Sequence, residues 1–160
     1  MNIWKKILGI SLAVGLSVSM GIVPIYADSI SILDEITDEE TTEDYSEDTS
    51  TILARSSYLH LGNVKIQRVS SNEIAIYGLT QCHKKCSKVY LSLFLERKVN
   101  GSYGTYKIWE FTAKNASSLS KEIDVAVPSG TYYRVRGYHA ASNDGLKEST
   151  STLTSGIMIK

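Results

Sequence analysis

Cys82 and Cys86 stand four residues apart and enclose His83, Lys84 and Lys85, the densest set of reactive side chains in the chain. Three chemistries are open to them. Two thiols this close in an exported protein oxidise to a disulfide, which across so short a loop stabilises by about 2 kcal/mol. Cys82, His83 and Cys86 are also soft metal ligands, but their spacing is not that of a zinc pair and no fourth ligand stands nearby in sequence. Finally, Lys84, Lys85 and Lys88 could lower a thiol pKa and create a redox-active pair. The disulfide is the expectation, with no metal and no cofactor.

His60 and His139 are the remaining histidines. A hydrolase would need one of them beside a nucleophile and an acid, and no nucleophile-elbow motif occurs. Between Thr51 and Lys160 only seven acids are scattered over the chain, so paired carboxylates for glycoside hydrolysis are not in evidence. The expectation is a protein that is not an enzyme.

The second cluster is Pro128 to His139. Pro128, Ser129 and Gly130 form a turn. In the strand that follows, Tyr133, Val135 and Gly137 share one face, while Tyr132, Arg134, Arg136 and Tyr138 share the other. Alternating aromatic and Arg groups can stack on sugars or hold carboxylates and phosphates. With Lys84, Lys85 and Lys88 they make a candidate basic binding surface; the alternative is a solvated face of Tyr rings and Arg stems. Tyr133, just after a Gly-Thr turn, suits a tyrosine corner, in which the hydroxyl bonds back to the backbone upstream.

The elements that would position these groups are strands. Tyr58 to Val69 reads as the first, kinked at Gly62-Asn63. A second carries Ile74 and Ile76 and is interrupted by Cys82 to Cys86. Val89, Leu91, Leu93 and Leu95 then alternate with polar and aromatic residues, the strongest period-two signal in the chain. Asn100-Gly101 marks a hairpin to a strand over 103–112, with Trp109 and Phe111 on one face. Lys114 to Ser118 reads as a polar connection, followed by strands at Leu119 to Val127 and Tyr132 onward. Ser142 to Gly145 is another hairpin turn, and Leu146 to Lys160 supplies the last strand. Seven strands without a helix predict an all-β fold, an immunoglobulin-like or fibronectin type III-like sandwich, with a jelly roll or small barrel as the alternative.

Outside this region the composition changes sharply. Lys5 and Lys6 precede a charge-free apolar run from Ile7 to Val23, closed by Pro24 and Ala27. This is the pattern of a secretory signal peptide over residues 1–27, cut between Ala27 and Asp28; an uncleaved anchor is the alternative. Localisation is therefore expected to be secreted, outside a Gram-positive cell. Asp28 to Ser50 holds ten acids and no base, whereas Thr51 to Lys160 holds 15 bases and seven acids, a net +8 that the neutral total conceals. The acidic segment, 28–54, has few sizeable apolar residues and is expected to be disordered. It is read as a tether, or else as a pro-segment that masks the basic domain over 55–160 until cut after Arg55.

Pro128-Ser-Gly-Thr-Tyr-Tyr-Arg-Val-Arg resembles the corresponding strand of fibronectin type III domains, with Tyr133 at the corner position; Trp109 lies one strand later than the early buried Trp of that family. More broadly, Arg68-Val-Ser-Ser-Asn, Lys88-Val-Tyr-Leu-Ser-Leu, Tyr132-Tyr-Arg-Val-Arg-Gly-Tyr-His and Glu148-Ser-Thr-Ser-Thr resemble a family of small secreted Firmicutes proteins of unknown function. That resemblance implies export and carries no functional residues. The expected function is a non-catalytic binding module for an anionic envelope polymer or a protein partner, not nucleic acid, meeting the membrane only through its signal peptide. A toxin-like or antimicrobial effector silenced by its acidic segment is the alternative.

Overall fold

The alternation that ends in Val89, Leu91, Leu93 and Leu95 buries all four side chains on one face of a single long strand. A computed structural model describes residues 39–51 and 56–160. The expected signal peptide and the Arg55 cut point lie outside the described residues. The elements are β1 (Glu40–Thr41), β2 (Tyr45–Thr51), β3 (Leu59–Ser70), β4 (Glu73–Val99), β5 (Ser102–Ala126), β6 (Thr131–Asn143), β7 (Leu146–Leu153) and β8 (Gly156–Ile159). The described residues are all-β.

The eight strands form one sheet rather than two separate ones. Its hydrogen-bonded path runs β1-β8-β6-β4-β3-β2, with β5 also on β4 and β7 also on β6. β4 and β5 are a long antiparallel ribbon. The first half of β4 pairs with β3 and its second half with β6. Between the halves the ladder breaks: pairing resumes at Cys86 with Ala116 after leaving off at Gln81 with Ser118, so β4 carries the extra residues of a bulge. At this corner the strand folds over itself. A Cβ on Gly78, in the first half, would run into the side chain of Leu93, in the second.

The facing halves enclose one core, in which Val64, Ile66, Ile74 and Ile76 meet Leu91, Leu93, Leu95, Tyr133, Val135, Ile157 and Ile159. Trp109 and Phe111 pack on its margin. Tyr133 donates its hydroxyl hydrogen to the Pro128 carbonyl at 2.9 Å, as a corner tyrosine should. Both expected hairpins form: Asn100-Gly101 and Asp144-Gly145 take positive φ at each pair of residues, the geometry of a mirror-image type I turn.

Several expectations need correction. The second strand and the central strand are one strand, because the Cys82 to Cys86 stretch bends β4 instead of ending it. Lys114 to Ser118 is part of β5, with Asn115 at φ 52° absorbing the irregularity opposite the bulge. The last strand divides into β7 and β8.

The expected disorder of the acidic segment also fails for its described part. β2 pairs with β3 over its whole length, and its alternate side chains reach across to the chain around β7. Asp48 accepts from the Leu153 N–H at 2.8 Å and Ser46 from the Ser155 N–H at 2.9 Å, while the Ser50 and Thr150 hydroxyls meet at 2.6 Å. These bonds nearly close the sheet into a barrel. Composition misses this source of order, because β2 is held by hydrogen bonds and not by buried apolar area.

Candidate functional site

The outer face of β4, β5, β6 and β7 can be followed row by row. In one row Lys114, Lys88, Ser142 and Lys147 stand in register across the four strands. All three lysines are exposed. At a strand spacing of about 4.8 Å the row spans roughly 14 Å. The next two rows bring Tyr90 and Tyr138 onto the same face, and the Lys147 ammonium lies 4.9 Å and 5.5 Å from their ring centroids. None of the three lysines has an ion-pair partner among the described residues. Glu148 follows Lys147 in sequence but points to the opposite face. There its carboxylate accepts the backbone N–H groups of Ser57, Tyr58 and Leu59 at 2.8–2.9 Å, as well as the Ser56 hydroxyl. Burial pushes its pKa up, but these donors outweigh burial and hold it down at about 2.

Further along the same face the cations have a carboxylate partner. Arg134 is only 3% exposed, and its Nε lies 2.8 Å from one oxygen of Glu96; Arg136 Nε lies 3.0 Å from the other. The Arg134 guanidinium also covers the Tyr103 ring at 4.0 Å, and that of Arg136 the Phe94 ring at 4.2 Å. Arg134 and Arg136 are therefore not a free binding surface, which corrects the reading of the Tyr132–Tyr138 strand. The strand pattern showed correctly which face they occupy. It could not show that Glu96 sits opposite Arg134 in the neighbouring strand.

Of the other expected binding residues, Tyr138 and Lys88 belong to the lysine-tyrosine surface. Tyr132 is half-buried opposite Met158, away from the lysine row. Lys84 and Lys85 are exposed at the corner of β4, where the Lys84 ammonium lies 4.8 Å from the Tyr58 ring centroid. Sequence reading missed Lys114, Lys147 and Tyr90. The pairing of Ser142 with Lys147 follows from counting outward from the Asp144-Gly145 turn. The pairing of Lys88 with Lys114 requires the one-residue shift between Leu95 and Glu96, which the sequence does not announce.

Cys82 and Cys86 are buried thiols, and Cys86 Sγ donates to the Lys84 carbonyl at 3.4 Å. They pack with Tyr58, Leu59, Val89 and Ala141 in a small satellite core. Burial first, then the neighbouring Cys86 and Glu148, push the Cys82 pKa up to about 12, the reverse of what a reactive thiol needs. His83 is exposed and lies against His60, ring centroids 4.6 Å apart and planes tilted by 46°. Among the described residues no group of three or more His, Cys, Asp or Glu is placed to hold a metal.

His139 is fully buried. One ring nitrogen meets Thr80 Oγ1 at 3.0 Å and the other meets Thr152 Oγ1 at 2.8 Å. Gly62 and Gly137 make room for the ring, since a Cβ at either would overlap it. Burial pulls its pKa down to about 4, against a smaller opposing effect of the Leu79 backbone. The imidazole is therefore neutral and ties the facing layers together.

A family model described as a family of unknown function, DUF6147, matches residues 32–156, a span that takes in β1 and β2 as well as the basic region. No curated protein matches the chain. Among solved structures the chain is similar to the crystal structure of chicken MD-1 complexed with lipid IVa. Identity is 13%, over 71% of this chain and 91% of that one, with a TM-score of 0.32.

Proposed function

We propose that this chain, which belongs to DUF6147, a family of unknown function, is a secreted, non-catalytic module that binds an anionic polymer of the cell envelope through the Lys88, Lys114 and Lys147 row. The observation that carries this reading is the register of the row. Like charges directly opposite each other on adjacent strands destabilise a sheet, and here Lys88 faces Lys114 without an intervening acid. A bound polyanion relieves that repulsion. Tyr90 and Tyr138 offer flat apolar surface to the rings or chain of the same polymer.

Export is supported by the sequence of residues 1–27. His139 is buried between two threonine hydroxyls, which gives it a structural role in this reading. Of the two all-β readings, the single, nearly closed sheet favours the small barrel, while the bond from Tyr133 to Pro128 is a feature shared with an immunoglobulin-like or fibronectin type III-like sandwich. The silenced-effector reading is not adopted. Among the described acids, Glu40, Asp44, Glu47 and Asp48 contact Lys98, Arg68, Asn63 and the β7 backbone in turn, and none of these contacts involves the lysine row.

Co-sedimentation of the secreted chain with isolated Gram-positive envelopes tests the proposal. Binding should weaken as salt rises and should fall at least about tenfold in Lys88→Gln/Lys114→Gln/Lys147→Gln. A folded triple variant that binds as the wild type does would remove the row as the site, and no binding at low salt would remove the envelope as the ligand.

A further inference from the structure

We infer that Cys82 and Cys86 are joined as a disulfide, and that the bond forms before the fold closes over the two thiols. Both residues lie at the corner where β4 passes from its first half to its second, on the stretch where its pairing with β5 is interrupted. Four residues of regular strand would separate them by roughly 13 Å, too far for a bond. The bulge instead folds both side chains into the same small core.

The surroundings fix the order of events. Cys86 is 1% exposed and Cys82 6%. Tyr58, Leu59, Val89 and Ala141 cover them, with Ala116 and Leu119 packed alongside. Access to an external oxidant is therefore poor in the folded state, and burial also disfavours the thiolate that must attack. In the unfolded chain neither restraint applies.

The oxidant is a small disulfide, R–S–S–R. One cysteine thiolate attacks it, forming a mixed disulfide and expelling one thiolate. The second cysteine thiolate then attacks the protein sulfur of that mixed disulfide and expels the other. Two protein thiols are oxidised to one Cys82–Cys86 bond, the oxidant is reduced to two R–SH, and the two cysteine protons end on those thiols.

The test compares two samples of the full chain in the same oxidised-glutathione buffer. One is reduced, unfolded and allowed to refold in the oxidant; the other is reduced and folded before the oxidant is added. Denatured aliquots are alkylated and weighed. The inference expects the refolding sample to lose about 2 Da and take up no alkylating agent, and the folded sample to do so more than about tenfold more slowly. A reduced chain that stays unfolded until oxidant is added, while Cys82→Ala/Cys86→Ala folds normally, supports the same order. Equal rates in the two samples overturn the order. Two alkylated thiols, or two glutathione adducts, after refolding in the oxidant overturn the pairing itself.

Discussion

Two ends of one sheet face treat positive charge in opposite ways. Around Glu96, two guanidinium groups share a carboxylate and lie against aromatic rings. Around Lys88, three ammonium groups stand in one row with no acid among them. The first arrangement gives each charged group a partner within the fold, and disturbing it costs stability. The second leaves its charges unmatched, which costs the fold a little and keeps them available to something outside it. Basic residues counted along the sequence do not separate these cases. The register of the strands does.

The sharpest way to break the contrast is to remove Glu96. In Glu96→Gln, Arg134 keeps its charge at 3% exposure without its carboxylate, and stability should fall by roughly 3 kcal/mol, read as a lower denaturation midpoint. A loss below about 1 kcal/mol would show that the pairing matters little to the fold.

Acid should act on the interior and spare the lysine row. The His139 pKa lies near 4 in the fold, below its ordinary value of 6.5, so between these values the unfolded chain binds more protons. Stability should therefore decline as pH falls from about 6.5 toward 4, by up to roughly 3 kcal/mol, and level off below 4 as far as His139 is concerned. His139→Gln should flatten that slope even if it lowers the plateau. The lysines stay charged throughout, so binding lost in this range should follow unfolding. Binding that fades while the fold stays intact would contradict this.

The smallest effect has the opposite sign to the first. Lys114→Gln removes the like-charge pair with Lys88 and should raise stability by a few tenths of a kcal/mol while weakening envelope binding. A single substitution that stabilises the chain and reduces its affinity would mark the row as a functional surface. A destabilising Lys114→Gln would instead give Lys114 a structural role.

Much of the scaffold was legible in the sequence. Period-two alternation located the core faces of β3, β4 and β6, the Asn100-Gly101 and Asp144-Gly145 turns fixed two hairpins, and the Gly-Thr-Tyr pattern anticipated the bond from Tyr133 to Pro128. The corner of β4 was not legible, because a charged stretch between two cysteines reads locally as a loop, and only pairing with β5 on both sides keeps it in one strand. Nor was β2, whose order comes from partners 10 to 109 residues away. The site was half legible for the same reason. Lys88 and Tyr138 could be placed on an outer face, but the pairing of Glu96 with Arg134 and of Lys88 with Ser142 joins strands distant in sequence, and no local pattern encodes it.

The most direct measurement of the central claim is the affinity of the wild type and of Lys88→Gln/Lys114→Gln/Lys147→Gln for a soluble linear polyphosphate, taken across a salt series. If the row is the binding surface, the wild-type affinity falls steeply with salt, and the logarithmic slope of the folded triple variant is shallower by about 2 to 3, as the removal of three cations requires. Equal slopes for the two proteins would contradict the account and place the contact elsewhere on the molecule.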